Sequence, residues 1–386
     1  RDLVRSRGLG DVYKRQDGFD CGIMITASHN PFYDNGIKLI NRYGEKMDDA
    51  TTALVEAYLD GDVQRLGLDG NELPLARREA VGSIVDYVAG RNRYVGYLIS
   101  LASHSYREMK IGLDCANGAS WMIAKAVFEA LGARTYVMGT APNGLNVNDG
   151  CGSTHIDALR KFVLENHLDV GFAFDGDADR CIAVDERGQT VDGDCILYIL
   201  ATRLAARGAL GGNTVVCTVM SNSGLFKSLE AAGIRSEQTA VGDRFVYECM
   251  QQNGYSLGGE QSGHIILRKY ATTGDGLLTA IKVMEAITET KEPLSVLASG
   301  MTMYPQVLKN VIVTDKDETL NDEKVKAAVA KAEAELGDNG RVLLRKSGTE
   351  PLLRVMSEAS THELCEEKVD AIIAAMADAG KLVRVK

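Results

Sequence analysis

Four short stretches of the chain crowd together side chains that could do chemistry. In TASHNP (26–31), Ser28 is a candidate nucleophile and His29 a proton-transfer partner beside it, while Lys38, further along the same bend, supplies a charge for a phosphate. In DGDADR (175–180), Asp175, Asp177 and Asp179 alternate within a glycine-containing loop, the donor set that a hard divalent cation takes. GGEQSGH (258–264) offers Glu260, Ser262 and His264, a mixture of acceptors and donors suited to sugar hydroxyls. RKSGTEPLLR (345–354) gathers Arg345, Ser347, Gly348, Thr349 and Arg354, where guanidinium and exposed N–H groups make a phosphate clamp.

Each stretch has a plainer alternative. Ser28 could simply cap a helix, GGEQSGH could be an ordinary polar loop, and RKSGTEPLLR a basic hairpin turn. The acidic loop is harder to dismiss, because three unpaired carboxylates repel without a cation between them. Arg180 stands where a calcium-binding EF-hand loop requires glycine, and the flanks read as strands. A metal-dependent phosphatase with Asp175 as nucleophile is a further reading. Taken jointly, the four stretches hold a nucleophile, a divalent cation, a polyol and a dianion.

The elements that must position them alternate strand and helix, which argues for parallel sheets covered by helices. Gly22–Ile25 reads as a strand leading into the first loop, with no strand neighbour expected, and a helical region opens at Pro74. A second unit starts at the strand Lys110–Asp114 and continues through a helix from Trp121 to Leu131, a strand from Thr135 to Met138 and a helix from Ile156 to Glu165. Strands Val170–Phe174 and Cys181–Val184 then flank DGDADR. A third unit holds a strand from Thr214 to Met220 and helices around 223–232, 242–253 and 274–290. The tail has a β-α-β-β-α order. Its strands run Tyr304–Thr314, Arg341–Arg345 and Leu352–Glu358, one helix carries Val325, Val329, Ala332 and Leu336, and the last carries Cys365, Val369, Ile372, Ile373 and Met376.

At 386 residues the chain is long enough for about two to four domains. Its net charge of −10 argues against nonspecific binding to nucleic acid, and no apolar run approaches the roughly 20 residues of a membrane span. The eight cysteines are scattered singly and read as buried reduced thiols of a cytoplasmic protein. RDLVRSRGLGDVYKRQ (1–16) has neither an apolar core nor a helix or strand period, and reads as a foreign leader similar to a translated sequencing adapter.

TASHNP, DGDADR, GEQSGH and RKSGTEPLLRV resemble the four active-site loops of the α-D-phosphohexomutases, in that family's order and one per domain. The resemblance covers residues 20–386 and extends to SHNPFYDNGIK, CGSTH (151–155), VDGDCILYI (191–199) and VMSNSGL (219–225). It implies three similar α/β domains with mixed sheets covered by helices, plus a small C-terminal α+β domain. The expected boundaries are 17–102 (an incomplete domain 1 with the phosphoserine loop), 103–210 (metal loop), 211–302 (sugar loop) and 303–386 (phosphate loop). The family's N-terminal F-G-T-D-G-x-R-G segment has no counterpart here, so the chain reads as truncated at its start.

The resemblance also implies an isomerase. Ser28 would carry a phosphoryl group, and one Mg²⁺ per chain would be held by a phosphoserine oxygen with Asp175, Asp177 and Asp179. Arg180 would neutralise the phosphate, with His29 and Lys38 as general acid and base. Glu260, Ser262 and His264 would bind the sugar, and Arg345, Ser347, Gly348, Thr349 and Arg354 its non-reacting phosphate. GGEQSGH and SGTEP resemble the branch that interconverts glucosamine 6-phosphate and glucosamine 1-phosphate through a 1,6-bisphosphate, for UDP-N-acetylglucosamine and cell-wall precursors. Glucosamine or glucose 1,6-bisphosphate would be intermediate or activator. Members acting on mannose or glucose phosphates, the alternative, more often carry Met where Gln261 stands and Asn where Gly348 stands. A metal-dependent phosphatase or an inactive truncated fragment is less favoured. The expected partners are a hexosamine phosphate, no nucleic acid and no membrane, in a monomer or a homodimer. Ala178 replaces the family's commoner glycine and leaves the alternation of carboxylates intact.

Overall fold

The strand Gly22–Thr26 (β1) does not stand alone. It pairs antiparallel with Gly36–Ile40 (β2), Met24 lying opposite Lys38, so the end of the Ser28 stretch is itself a strand. Met24 and Ile40 face inward, whereas Ile23, Ile25 and Ile37 are exposed. The computed structural model describes residues 19–67, 75–347 and 352–386. Within them the chain forms two compact units, residues 222–228 with 301–386 and the remainder.

In the larger unit, β2 is followed by the helices Asp49–Asp60 (α1) and Val88–Ser100 (α2). Pro74, the expected helix start, lies outside the described residues; from Leu75 to Tyr87 there is only a 3₁₀ turn at Arg78–Ala80. Lys110–Asp114 (β3), Arg134–Met138 (β4), Val170–Phe174 (β5), Cys181–Asp185 (β6) and Thr190–Val191 (β7) form a sheet of order β4-β3-β5-β6-β7. β4, β3 and β5 run parallel, β6 is antiparallel to β5, and β7 is antiparallel to β6. The helix expected from Trp121 to Leu131 is instead a 3₁₀ turn, Ala119–Met122, and a short helix, Ala124–Ala130 (α3). Its first turn is tied elsewhere: the Ala119 N–H donates to the carbonyl of Gly176, in the acidic loop. Asp157–Asn166 (α4) covers one sheet face with Leu159 and Val163, and Phe128 of α3 stacks on Phe172.

Gly193–Ala206 (α5) leads to a second mixed sheet. Thr214–Thr218 (β8), Arg235–Thr239 (β9), Leu257–Gly259 (β10) and Ile265–Leu267 (β11) take the order β11-β10-β8-β9, with Ser223–Ala231 (α6) and Asp243–Asn253 (α7) between them in sequence. The pairings β8–β9 and β8–β10 are parallel and β10–β11 is antiparallel, the same plan as β3–β4, β3–β5 and β5–β6. DGDADR and GEQSGH are therefore the same hairpin in two copies of one topology. The long helix Gly276–Thr290 (α8) follows.

The smaller unit is an antiparallel sheet of order β13-β14-β12-β15, made of Gln306–Val313 (β12), Arg341–Lys346 (β13), Leu352–Glu358 (β14) and Leu382–Val385 (β15). The helices Glu323–Leu336 and His362–Asp378 cover it through Val325, Ala332, Val369 and Ile372, as the apolar stripes predict. Glu358 is fully buried there. It accepts two bonds from Arg341, at 2.8 and 3.0 Å, one from the Ser223 N–H at the start of α6, and one from Gln306. Removing a buried carboxylate strands its cation, which costs about 3 kcal/mol or more. Glu358→Ala should accordingly speed amide hydrogen exchange across β12–β14 by about a hundredfold, since ~1.4 kcal/mol is a factor of ten.

Candidate functional site

The site is built from the backbone outward. Ser28 follows β1 in a left-handed conformation, φ 52°, which a non-glycine residue adopts at a cost of about 1–2 kcal/mol. Its own N–H donates to Thr26 Oγ1 at 2.8 Å. Its carbonyl accepts from the Gly176 N–H at 3.0 Å and from Asn148 Nδ2 at 2.8 Å, and Asn148 Nδ2 also reaches the Asn30 carbonyl at 2.8 Å. A Cβ on Gly176 would lie 2.5 Å from the Ser28 carbonyl oxygen, so glycine is required where the two loops meet. Neither Asn148 nor Gly176 carries a signature in the sequence beyond the glycine itself.

This backbone clamp puts the Ser28 hydroxyl 3.4 Å from Asp175 Oδ2 and 3.4 Å from His29 Nδ1. Asp175, Asp177 and Asp179 are all buried, and one oxygen of each lies within 4.8 Å of the others. Burial first, then the charges of Asp179 and Asp177, push the Asp175 carboxyl well above the usual carboxylate range. Lys38 Nζ, brought in on β2, is 2.5 Å from Asp177 Oδ2 and 3.6 Å from Asp179 Oδ2. The Arg180 N–H donates to Asp175 Oδ1 at 3.1 Å, and its Nε lies 4.0 Å from both Asp175 and Asp179. Two cations thus face three carboxylates. Asp177 Oδ1 is buried without a hydrogen-bond partner, and all the ligand atoms are hard oxygens, so the triad fits a divalent cation. Ala178 has φ 60°, a conformation that glycine takes more readily.

His29 is pulled below its ordinary pKa, mostly by burial and then by the Arg180 charge, which keeps the imidazole neutral near pH 7. The turn Glu260–His264 closes the other side. Glu260 Oε1 accepts from the Gly242 N–H at 3.1 Å, and His264 Nδ1 lies 3.5 Å from Asp179 Oδ1. A cleft of about 340 Å³ is lined by Ser28, Lys38, Arg180, Asp179, Glu260 and His264, joined by Lys46 and Asp243, which sequence reasoning did not single out. Ser262 is not among its lining residues; its hydroxyl is buried without a partner.

The fourth loop belongs to the smaller unit. Gly348 and Thr349 lie outside the described residues. Arg345 and Arg354 stand directly opposite each other on β13 and β14, a like-charge pair that favours an anion, and the Nε of each is buried without a partner. Burial, and then Arg354, lower the Arg345 pKa. Ser347 is buried at the end of β13, its N–H donating to the Leu352 carbonyl. All eight cysteines are free; Cys21 is exposed and Cys249 half-buried, unlike the buried state expected of them, and the others are buried. No helix among the described residues is long and apolar enough to cross a membrane.

Family models of phosphoglucomutase/phosphomannomutase match the chain in succession: α/β/α domain I at residues 11–65, domain II at 92–188, domain III at 192–304 and the C-terminal domain at 308–375. The phosphoglucosamine mutase of Lachnospira eligens is 58% identical over 359 residues, 93% of this chain and 78% of that protein. That of Bacillus subtilis is 48% identical over 371 residues, 96% of this chain and 81% of the other. Among solved structures, a phosphoglucomutase/phosphomannomutase family protein from Burkholderia thailandensis aligns with a TM-score of 0.76 at 22% identity, covering 98% of this chain and 82% of that one. Aspergillus fumigatus N-acetylphosphoglucosamine mutase, in complex with GlcNAc-6P and magnesium, aligns with a TM-score of 0.73 at 18% identity, covering 97% and 92%. These two show the shared fold. If the acidic triad holds a divalent cation, Asp177→Asn should weaken Mn²⁺ binding by at least about tenfold in calorimetry, because it removes one of three carboxylate charges.

Proposed function

Because the chain belongs to the phosphoglucosamine mutases, a branch of the phosphohexomutases, we infer that Ser28 is its phosphoryl carrier and the triad beside it the cation site. The chain is an isomerase that interconverts glucosamine 6-phosphate and glucosamine 1-phosphate. One observation carries the assignment of roles: the Ser28 hydroxyl meets Asp175 at 3.4 Å, in a cleft that Lys38, Arg180 and Glu260 also line.

In the forward step, a hydroxyl of the sugar phosphate attacks phosphorus on phosphorylated Ser28. A new phosphorus–oxygen bond forms to the sugar, the bond to Ser28 Oγ breaks, and the hydroxyl proton passes to a base. Neutral His29, 3.4 Å from the Ser28 hydroxyl, is suited to accept that proton, and Lys38, on the cleft wall, is the second candidate. The resulting 1,6-bisphosphate turns over and returns its other phosphate to Ser28, the departing sugar oxygen regaining a proton. Bound Mg²⁺, one per chain on Asp175, Asp177, Asp179 and a phosphoserine oxygen, would offset charge on the transferring group. Arg180 shares that duty. Glu260, on the cleft wall, reads sugar hydroxyls, and Arg345, Ser347 and Arg354, with Gly348 and Thr349, bind a phosphate group. Free thiols suit a cytoplasmic setting, where a UDP-N-acetylglucosamine route would use the product.

Intact mass before and after phosphatase treatment should differ by one phosphoryl group, and Ser28→Ala should lose both that difference and turnover. A Ser28→Ala variant with near-normal rates would refute the assignment. Arg345→Ala should raise KM and lower kcat together, because a phosphate clamp acts in ground and transition states alike. Coupled assays with glucosamine, glucose and mannose phosphates, primed with glucose 1,6-bisphosphate, should rank glucosamine first.

A further inference from the structure

The turn that carries Glu260 rests on the start of α5, a segment to which the chemistry of the cleft gives no task. The Gly193 N–H donates to the Gln261 carbonyl at 3.0 Å, and Gln261 Nε2 donates to Asp192 Oδ2 at 3.3 Å. Asp192 is also the N-cap of α5, its Oδ1 accepting from the Cys195 N–H at 3.0 Å. One carboxylate therefore serves the helix with one oxygen and the turn with the other. The fit is close: a Cβ on Gly193 would lie 2.1 Å from the Glu260 carbonyl oxygen and 2.7 Å from the Gly263 nitrogen. Inside the turn, the Gly263 N–H donates to the Glu260 carbonyl and the Glu260 N–H to the His264 carbonyl, both at 3.0 Å. Glu260 lines the cleft and Gln261, the next residue, does not. The two side chains part there, one toward the cleft and one toward the helix.

We propose that Asp192 and Gln261 are a positioning pair for this turn, fixing where Glu260 meets the sugar, and that Gln261 itself does not touch substrate. The inference rests on the reading that the turn binds the sugar. A bond from an amide N–H to a carboxylate is charge-assisted and stronger than a neutral one. Burial pushes the Asp192 carboxyl above its ordinary pKa, and the Cys195 and Gln261 N–H groups work against that by favouring the ionised form. The tie is made one residue from Glu260, and a displacement of about 1 Å at a substrate contact can cost on the order of a hundredfold in rate.

Exchanging the polarity of the pair separates a tie from a substrate contact. In Gln261→Glu two carboxylates face each other, and kcat/KM for glucosamine 6-phosphate should fall by about 10–100-fold, mainly through KM. Adding Asp192→Asn to the same chain puts an amide donor opposite the new carboxylate. Asparagine caps a helix about as well as aspartate, so the start of α5 is kept. In this double variant kcat/KM should return to within about threefold of wild type, the coupling expected of two residues in contact. A Gln261→Glu chain with wild-type kinetics would overturn the proposal. A double variant as slow as Gln261→Glu alone would also overturn it, and would make Gln261 a substrate contact. Glu260→Ala with unchanged KM for glucosamine, glucose and mannose phosphates would instead refute the sugar-binding turn itself, and this role with it.

Discussion

Carboxylates buried side by side are costly twice over, once for the water they lose and again for one another's charge. Asp175, Asp177 and Asp179 accept both penalties within one loop, and much of the surrounding structure compensates for them. Lys38 comes from β2 and Arg180 from the loop itself, while His264 comes from the second copy of the hairpin. The Ser28 loop is drawn to the same point through its carbonyl. A site that concentrates negative charge therefore doubles as the junction of the larger unit.

The junction uses main chain more than side chain. Ala119 and Ser28 each bond to Gly176, Gly276 to Ala178, and Cys181 to Gly263, so four segments meet at the acidic loop through N–H and carbonyl groups. Each of these contacts has glycine on one side. A Cβ on Gly118 would stand 2.4 Å from the Gly176 carbonyl, and one on Gly263 2.4 Å from the Cys181 carbonyl. Rigidity at the reacting groups follows from that closeness, because nothing between the loops can rotate.

The chemistry was legible in the sequence because it is local: a serine beside a histidine, three aspartates in alternation, and two arginines about one turn need no partner to be noticed. Strands buried on both faces, such as Val170–Phe174, were legible for the same reason, being continuous apolar runs. What escaped acts at a distance. Asn148 is one polar residue in a polar loop, and only the fold reveals that it holds Ser28 from 120 positions away. Arg235–Thr239, with its sequence RSEQT, has no strand pattern and exists because β8 offers it a parallel partner. The short 3₁₀ turn at Ala119–Met122 is anchored to the acidic loop through the Ala119 N–H, a long-range tie that periodicity does not record.

The repeated hairpin bears on how such a protein can change. β5–β6 and β10–β11 present their turns from matching places in matching sheets, and the Ser28 turn likewise joins an antiparallel pair. The strands supply the frame, so a turn can be rewritten without moving its neighbours. Each bend is then heritable as a separate trait. A lineage could acquire a new substrate by editing one bend while the older chemistry next to it passes on unaltered.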